Sequence, residues 1–419
     1  MPPEDHGSES AMIANPSLST ASPAEHLAAA ATHGAPTHDP LPVVIASARG
    51  AWVTDVEGRR YLDLLAGSPA TAFGHRHPRP VAEARAQLNR LTVTSRAVHH
   101  EHFGALCAAL AALCGMEMAL PVTGGEEAVR AAVAAARAWG HRVKGVPAGR
   151  TRVVVAAGNI PADGGVFAGT GAESGAHPPG FTVVPYGDLA AVAAALAADA
   201  GETVAVLLEP VGGAAGVRVP PPGYLPGVRE LTRECGVLFL ADERWSGLGR
   251  TGATFACEHE HVVPDLYVLG TALGGGVLPV AAVVSSAAVL GALRPGEHRP
   301  ASGGGPLACA VALEVLAMLR EGEPQRRARE RGEQLHHELA GLAADGAVTG
   351  VRGRGLWAEV DLGPAVGGGR EVAERLLRHG VLVRGGPGPA LRLAPPLVIS
   401  ARDLGWALEQ LRAELMVAR

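Results

Sequence analysis

Lysine is almost absent from this sequence: Lys144 is the only one, and arginine supplies nearly all of the positive charge. Lys and Arg total 36 against 41 Asp and Glu, which gives a formal net charge of −5. Because no basic excess exists, nucleic acid is not an expected partner. No apolar run is long enough to cross a bilayer without a charge, Gly or Pro interrupting it, so no membrane partner is expected either.

Cysteine is also sparse. The five cysteines are odd in number and scattered, without the CxxC spacing of a zinc site. Two histidine-rich phrases, RAVHHEHF and CEHEH, do not place three ligands on one helix face. The N-terminus is acidic and lacks the compact apolar core of a signal peptide. We therefore expect a cytoplasmic protein with reduced thiols and no bound metal.

What the chain does contain indicates a folded protein. Hydrophobic residues make up 47% and charged residues 18% of the 419 residues, which is typical of a large globular chain. Residues 1 to about 40 are rich in Ala, Ser, Pro and His without sustained periodicity, so we expect a mobile N-terminal arm. From Pro42 the pattern alternates as in strands, and Glu57-Gly58 is the predicted hairpin turn.

Strand and helix patterns alternate through the middle of the chain. The runs TVAVLLEP and GVLFLADE are uninterrupted, as in parallel strands that are buried on both faces. This order predicts an open, mostly parallel sheet, whose ligands bind beyond the carboxyl ends of the strands. Asp242 and Glu243 fall at one such end. After two helices, at 306–320 and 323–344, the last part of the chain predicts a separate α+β lobe.

A set of phrases in a fixed order resembles the class III, fold-type I aminotransferases, in their ornithine and acetylornithine branch. The likeness covers about residues 40–419 and is carried by GAWVTDVEGRRYLDLLAG, FGHRHPRP, LLEPVGGAAGVRVPPPGYLPGVRELTRECGVLFLADE, SGLGRTG, VVPDLYVLGTALGGGVLPVAAVV, GGGPLACAVALEVL and LRLAPPLVIS. The resemblance implies an α/β fold with a large domain that binds pyridoxal phosphate (PLP) and a small α+β domain made from both chain ends. The expected divisions are an arm over 1–40, small-domain residues 41–95, a large domain over 96–320 and a C-terminal small domain over 321–419. It also implies a homodimer with active sites at the interface; a heterodimer with an active aminotransferase is the alternative.

The position that the resemblance assigns to the PLP-binding lysine holds Thr271, between Gly270 and Ala272. A threonine cannot form the imine on which transamination depends. Lys144 is the only possible substitute, and its place in a Gly- and Arg-bearing connection predicts a surface residue.

Other positions that the family uses for PLP are changed as well. The phosphate-binding turn reads Gly124-Gly125-Glu126, and Glu126 either caps the following helix or points to water. The threonine contributed from the second subunit aligns with Ala301, and the ring-stacking pair reads Ile160-Pro161. The gating carboxylate of the loop after Glu209-Pro210 is lost in Gly212-Gly213-Ala214. From these changes we expect no cofactor, with PLP binding lost.

The remaining residues at the expected site are polar. Asp242 matches the partner of the pyridine nitrogen; a purely structural carboxylate at the strand end is the alternative. The large Arg244 and Trp245 follow it. Arg392 matches the arginine that clamps a substrate carboxylate; a structural ion pair is the alternative. The catalytic candidates are Asp242, Glu126 and Arg244, and the substrate-binding candidates are Arg392, Trp245, Thr271 and His99.

These residues leave three functions open. The favoured one is a PLP-independent enzyme that acts on a small amino-acid-like carboxylate in a biosynthetic pathway. The second is an inactive paralogue that partners or regulates an active aminotransferase. The third is an aminotransferase that uses PLP without the usual lysine.

Overall fold

The computed structural model describes residues 21–37, 39–65, 69–95, 97–159, 179–199, 201–213, 215–297, 303–386 and 388–417. Fifteen strands lie within these ranges: β1 (Ile45–Arg49), β2 (Trp52–Asp55), β3 (Arg60–Asp63), β4 (Met118–Val122), β5 (Arg152–Ala156), β6 (Phe181–Val184), β7 (Thr203–Leu208), β8 (Leu238–Glu243), β9 (Leu266–Leu269), β10 (Ala281–Ser285), β11 (Val348–Gly353), β12 (Ala358–Leu362), β13 (Val381–Leu382), β14 (Arg384–Gly385) and β15 (Ala390–Leu393).

Helices alternate with these strands along the chain. Within the described ranges they are α1 (Pro23–His33), α2 (Pro78–Leu88), α3 (Glu101–Cys114), α4 (Gly125–Trp139), α5 (Leu189–Ala198), α6 (Tyr224–Glu234), α7 (Ala287–Leu290), α8 (Pro306–Glu321), α9 (Glu323–Ala344), α10 (Gly369–Arg378) and α11 (Ala401–Val417). None of them is long and apolar enough to cross a membrane.

The central sheet has seven strands in the order β4-β10-β9-β8-β7-β5-β6. The neighbours from β9 through β8, β7 and β5 to β6 are parallel, and β10 runs antiparallel to β9 and β4. All six residues of β7 and all six of β8 are buried, and successive residues such as Phe239 and Leu240 enter separate hydrophobic clusters. The predicted mostly parallel sheet, buried on both faces, is confirmed.

Two smaller sheets combine the beginning and the end of the chain. The first has the order β1-β2-β3-β13, in which β13 pairs in parallel with β3 and so joins the C-terminal part to the N-terminal strands. The predicted turn at Glu57-Gly58 connects β2 and β3, and Gly58 has the positive φ of 84° that favours glycine. The second sheet has the order β11-β12-β15-β14 and carries Arg392 on β15.

The N-terminal arm contains a helix that the sequence pattern did not predict. Residues 23–33 form α1, which Ser22 begins with a capping box to Glu25. None of the residues of α1 is buried, so helix propensity and the cap support it rather than an apolar face. This is why a search for hydrophobic periodicity missed it. Residues 1–20 of the predicted arm lie outside the described residues.

We predict that the central sheet carries much of the stability. Val206 on β7 is 1% exposed, whereas Val143 is 58% exposed. Val206→Ala should lower the free energy of unfolding by about 2 kcal/mol, because it removes buried carbon atoms and leaves a cavity. Denaturant titration followed by circular dichroism measures this change. The matched control Val143→Ala should change it by less than about 0.5 kcal/mol, and equal effects of the two variants would contradict the prediction.

Candidate active site

Three elements meet at one edge of the central sheet. Asp242 is the last residue but one of β8, and it lies beside Val268 of the neighbouring parallel strand β9. A β-carbon added at Gly125, the first residue of α4, would lie 3.0 Å from Cδ of Arg244, and one added at Gly270 would lie 2.3 Å from the Arg244 carbonyl oxygen. Only glycines therefore let the start of α4 and the end of β9 approach Arg244 so closely.

Asp242 and Arg244 form a buried ion pair. Asp242 is 1% exposed, and both of its carboxylate oxygens accept hydrogen bonds from Arg244, with Nε at 2.8 and 3.0 Å and Nη2 at 2.7 Å. Burial lowers the pKa of Arg244, but the carboxylates of Asp242, Glu209 and Glu126 outweigh burial and raise it above its ordinary value. The pair thus holds its charges, and Asp242 is engaged by a partner from its own chain.

The two acids in the first turn of α4, Glu126 and Glu127, have different roles. Glu127 accepts a hydrogen bond from the Thr123 backbone N–H at 2.9 Å, so it satisfies the start of the helix. Glu126 is exposed. Of the two alternatives for Glu126, capping the helix or pointing to water, the structure agrees with the second.

Lys144 lies at the opposite edge of the sheet. Its ammonium donates a hydrogen bond of 2.7 Å to the carbonyl oxygen of Thr203, the first residue of β7. The predicted surface position is therefore wrong in part: Lys144 is half-buried, and burial lowers its pKa. A six-residue strand is roughly 20 Å long, so this lysine cannot reach the edge that holds Asp242. Thr271 does lie at that edge, half-buried at the start of a short 3₁₀ turn directly after β9.

Arg392 is buried with a specific neighbourhood. It is 5% exposed; its Nε lies 3.3 Å from Oε2 of Glu359, and its guanidinium carbon lies 5.9 Å from the centre of the Trp245 ring. The two terminal nitrogens of Arg392 make no hydrogen bond to a described residue. Arg392 therefore forms the ion pair that was the alternative to a carboxylate clamp. This ion pair uses only Nε of the guanidinium, so the terminal N–H groups remain available to a ligand.

Trp245 and Trp357 form the wall beside Arg392. Their rings are stacked with centroids 6.5 Å apart and planes inclined by 14°. A β-carbon at Gly213 would lie 2.7 Å from Trp357 and 3.0 Å from Trp245, so this loop glycine packs directly against both rings. The aromatic pair connects the predicted ligand residue Trp245 to the sheet that carries Arg392.

Two buried acids at the site were not among the predicted residues. Glu209 directly follows β7, is 0% exposed and accepts a hydrogen bond from Gly213 N–H at 2.7 Å. The charge of its carboxylate raises the pKa of both Arg244 and Arg392. The rule that drew attention to Asp242, an acid that ends a buried apolar strand, would have found Glu209 too. Glu359 had no such signal, because its partner Arg392 is on another strand.

Some polar groups at this edge have no hydrogen-bond partner among the described residues. The side-chain amide of Asn159, which is 4% exposed and follows β5, bonds none of them with its nitrogen or its oxygen. Oγ1 of Thr123, just after β4, is likewise buried without a partner in the described part of the chain. Buried polar atoms usually have partners, so these atoms suit the polar groups of a ligand or bound water.

The remaining predicted positions are not assembled with these residues in the described structure. His99 is exposed, while His100 bonds the Gly304 carbonyl at 2.8 Å and His102 bonds Gln87 at 2.9 Å. Ile160, Pro161, Ala214 and Ala301 lie outside the described residues. Within the part of the chain that is described, no three His, Cys, Asp or Glu side chains are grouped as metal ligands would be.

Comparison with known proteins identifies the family. The model of the class-III aminotransferases matches residues 33–415. The ornithine aminotransferase of Bordetella pertussis is 44% identical over 384 residues, which are 90% of this chain and 92% of the relative. Among solved structures, the acetylornithine aminotransferase of Elizabethkingia anophelis is similar with a TM-score of 0.87 at 34% identity, covering 95% of this chain and 100% of that one. An ornithine aminotransferase of Toxoplasma gondii has a TM-score of 0.89 at 33% identity and covers 96% and 97%.

These relatives correct our expectation that no cofactor belongs to this site. The Toxoplasma gondii structure has PLP in its active site at partial occupancy. The family uses PLP, so the expectation of no cofactor, which is based on the changed positions, is wrong. The described residues do not fit a PLP that is bound through a lysine. The sole lysine, Lys144, donates a hydrogen bond to Thr203 at the far edge of the sheet, and Arg244 is hydrogen-bonded to the carboxylate of Asp242.

The fold and the family therefore agree. The α/β architecture with a mostly parallel central sheet is that of the solved aminotransferases, and the family model covers nearly the whole described chain. This chain belongs to the class III aminotransferase family.

Proposed function

We propose that this protein binds a small amino-acid-like carboxylate in the cleft between Arg392 and the Asp242–Arg244 pair. The observation that carries the proposal is the guanidinium of Arg392, which is 5% exposed and has two terminal nitrogens without a hydrogen bond to described residues. A buried guanidinium with a free fork of donors matches the geometry of a carboxylate. The ornithine aminotransferases that resemble this chain are named for an amino-acid substrate.

Charge divides the proposed cleft into two ends. A ligand carboxylate binds Arg392 beside the Trp245 ring. A ligand ammonium group finds Glu209 and Glu126, the two acids whose charges act on Arg244. Arg244 keeps the buried charge of Asp242 balanced, and Thr271 offers a hydroxyl at the same sheet edge.

The chemistry proposed for the cleft does not use a lysine. Moving a proton at the ligand needs a group near the sheet edge, and Glu126 is an exposed acid directly after Gly125, which packs against the Arg244 side chain. Asp242 is less suited to that role because both of its oxygens hold Arg244. His99 remains a candidate at the entrance. We propose that Asp242 positions Arg244 and that Glu126 carries the proton.

We also propose that two copies of the chain associate. Large apolar side chains are exposed over residues 88–103, which is unusual for a free surface: Leu88, Leu91, Val93, Val98 and Phe103. This segment includes His99, so a second copy that covers it would shape the same entrance.

Ligand binding tests the carboxylate clamp. L-ornithine should bind the wild-type protein, and putrescine, which is ornithine without its carboxylate, should bind about 10- to 100-fold more weakly, because the charge-assisted hydrogen bonds to Arg392 are lost. Arg392→Gln should remove this difference, while the exposed matched control Arg402→Gln should keep it. Isothermal titration calorimetry measures the six affinities, one for each of the two ligands with each of the three proteins. Equal affinity of the wild type for both ligands, or no binding of either, would sink the proposal.

A restored lysine tests the position of Thr271. Thr271→Lys, alone and combined with Arg244→Val to free Asp242, should become labelled at residue 271 when treated with PLP and borohydride. The wild-type protein should carry no label at this sheet edge, and Thr32→Lys, on an exposed helix, controls for surface labelling. Peptide mass spectrometry locates the label. Its absence from residue 271 in both folded variants would contradict the placement of Thr271 in the cleft.

Light scattering tests the association of two copies. The wild-type protein should have the mass of a dimer, and Val93→Glu, at a side chain that is 79% exposed, should shift it toward the monomer by placing a charge in the apolar contact. Val263→Glu, at a side chain that is 55% exposed elsewhere on the surface, is the control. A monomeric wild-type protein would rule out this association.

A further inference from the structure

Four charged residues form one row across the sheet β11-β12-β15-β14. Arg352 lies directly opposite Glu359, Glu359 opposite Arg392, and Arg392 opposite Arg384, each on the next antiparallel strand. Directly opposite residues on neighbouring antiparallel strands project from the same face of a sheet. The row therefore presents three guanidinium groups and one carboxylate on one face.

The charges alternate over only part of this row. Glu359 bonds Arg352 on one side and Arg392 on the other, and Arg352 also bonds Asp361. Arg392 and Arg384 are then adjacent with no acid between them. Arg384 is exposed and makes no hydrogen bond or ion pair with a described residue. Like charges placed directly opposite each other destabilise a sheet, so the row is one negative charge short at this end.

The electrostatics of Arg392 agree with this arrangement. Burial lowers the pKa of Arg392, Glu359 raises it, and the neighbouring charge of Arg384 lowers it again. The two guanidinium groups are thus close enough to act on each other.

The face that carries the row is turned toward the proposed cleft. The Trp245 ring lies against Arg392, and the backbone N–H of Val217 donates to Glu359 at 3.2 Å. Both contacts come from loops of the central-sheet part of the chain. An anion that approached along Trp245 would therefore meet the terminal nitrogens of Arg392 and then Arg384.

We propose that the ligand carboxylate binds between Arg392 and Arg384, with one oxygen at each guanidinium, so that Arg384 is a second binding residue of the site. This inference rests on the proposed function. The carboxylate completes the alternation of charges that Arg352 and Glu359 begin. Glu359 holds Nε of Arg392, so the terminal nitrogens of Arg392 remain for the ligand. The site selects ligands whose acidic end has two oxygens in one plane.

Titration calorimetry with L-ornithine tests the role of Arg384. Arg384→Gln should weaken binding roughly tenfold, because one charge-assisted hydrogen bond is lost. Arg384→Lys should recover part of this loss, since it restores the charge. Arg402→Gln removes the same charge from an exposed site on α11 and should leave affinity within about twofold. Raising the salt concentration should weaken wild-type binding more than binding by Arg384→Gln.

The outcomes separate this inference from the function on which it rests. If the wild type binds L-ornithine and Arg392→Gln weakens binding while Arg384→Gln does not, the carboxylate sits on Arg392 alone and the second binding residue is wrong. If Arg384→Gln and Arg402→Gln weaken binding equally, the effect is one of net charge and the inference is overturned. If the wild type does not bind, the proposed function itself fails.

Discussion

The buried ion pair between Asp242 and Arg244 determines the shape of the site. A carboxylate that is 1% exposed at the end of a central strand needs a partner, and loss of one member of a buried pair typically costs about 3–5 kcal/mol. Arg244 supplies that partner from two residues away. Its backbone lies so close to Gly270 that this position has no room for a β-carbon, and its side chain packs tightly against Gly125. The start of α4 and the end of β9 are therefore fitted to this arginine.

The second determinant is the pairing of Glu359 with Arg392 across two strands. Because Glu359 engages only Nε, the terminal nitrogens of the buried guanidinium remain for a ligand, and the Trp245 ring lies beside this guanidinium. The stacked Trp245 and Trp357 then join the sheet of Arg392 to the loop that follows Asp242. The charge of Glu209 raises the pKa of the arginine in each of the two ion pairs.

Much of the fold could be predicted from periodicity. The uninterrupted apolar runs of β7 and β8 indicate buried parallel strands, and α8 and α9 agree with the helices predicted at 306–320 and 323–344. Periodicity does not predict the helix α1, because none of its side chains is buried and no apolar stripe marks it. The polar turn around Lys144 predicts a surface residue, whereas a hydrogen bond to the Thr203 carbonyl holds its side chain half-buried.

The site was predictable only in part, and for a physical reason. Asp242 and Arg244 are neighbours in the chain, so their pairing follows from local sequence. Glu359 and Arg392 meet through strand register, which one sequence does not reveal. The changed residues at the PLP positions do not predict the cofactor correctly, because such changes alter how a ligand is held. The relatives show which ligand the family uses.

The most direct test of the proposed carboxylate site is the electron density of a crystal soaked with L-ornithine and PLP. We predict carboxylate density against the terminal nitrogens of Arg392, retention of the contact between Arg392 and Glu359, and no continuous density from Thr271 to any ligand. A carboxylate bound elsewhere, with Arg392 contacting only Glu359, would contradict it.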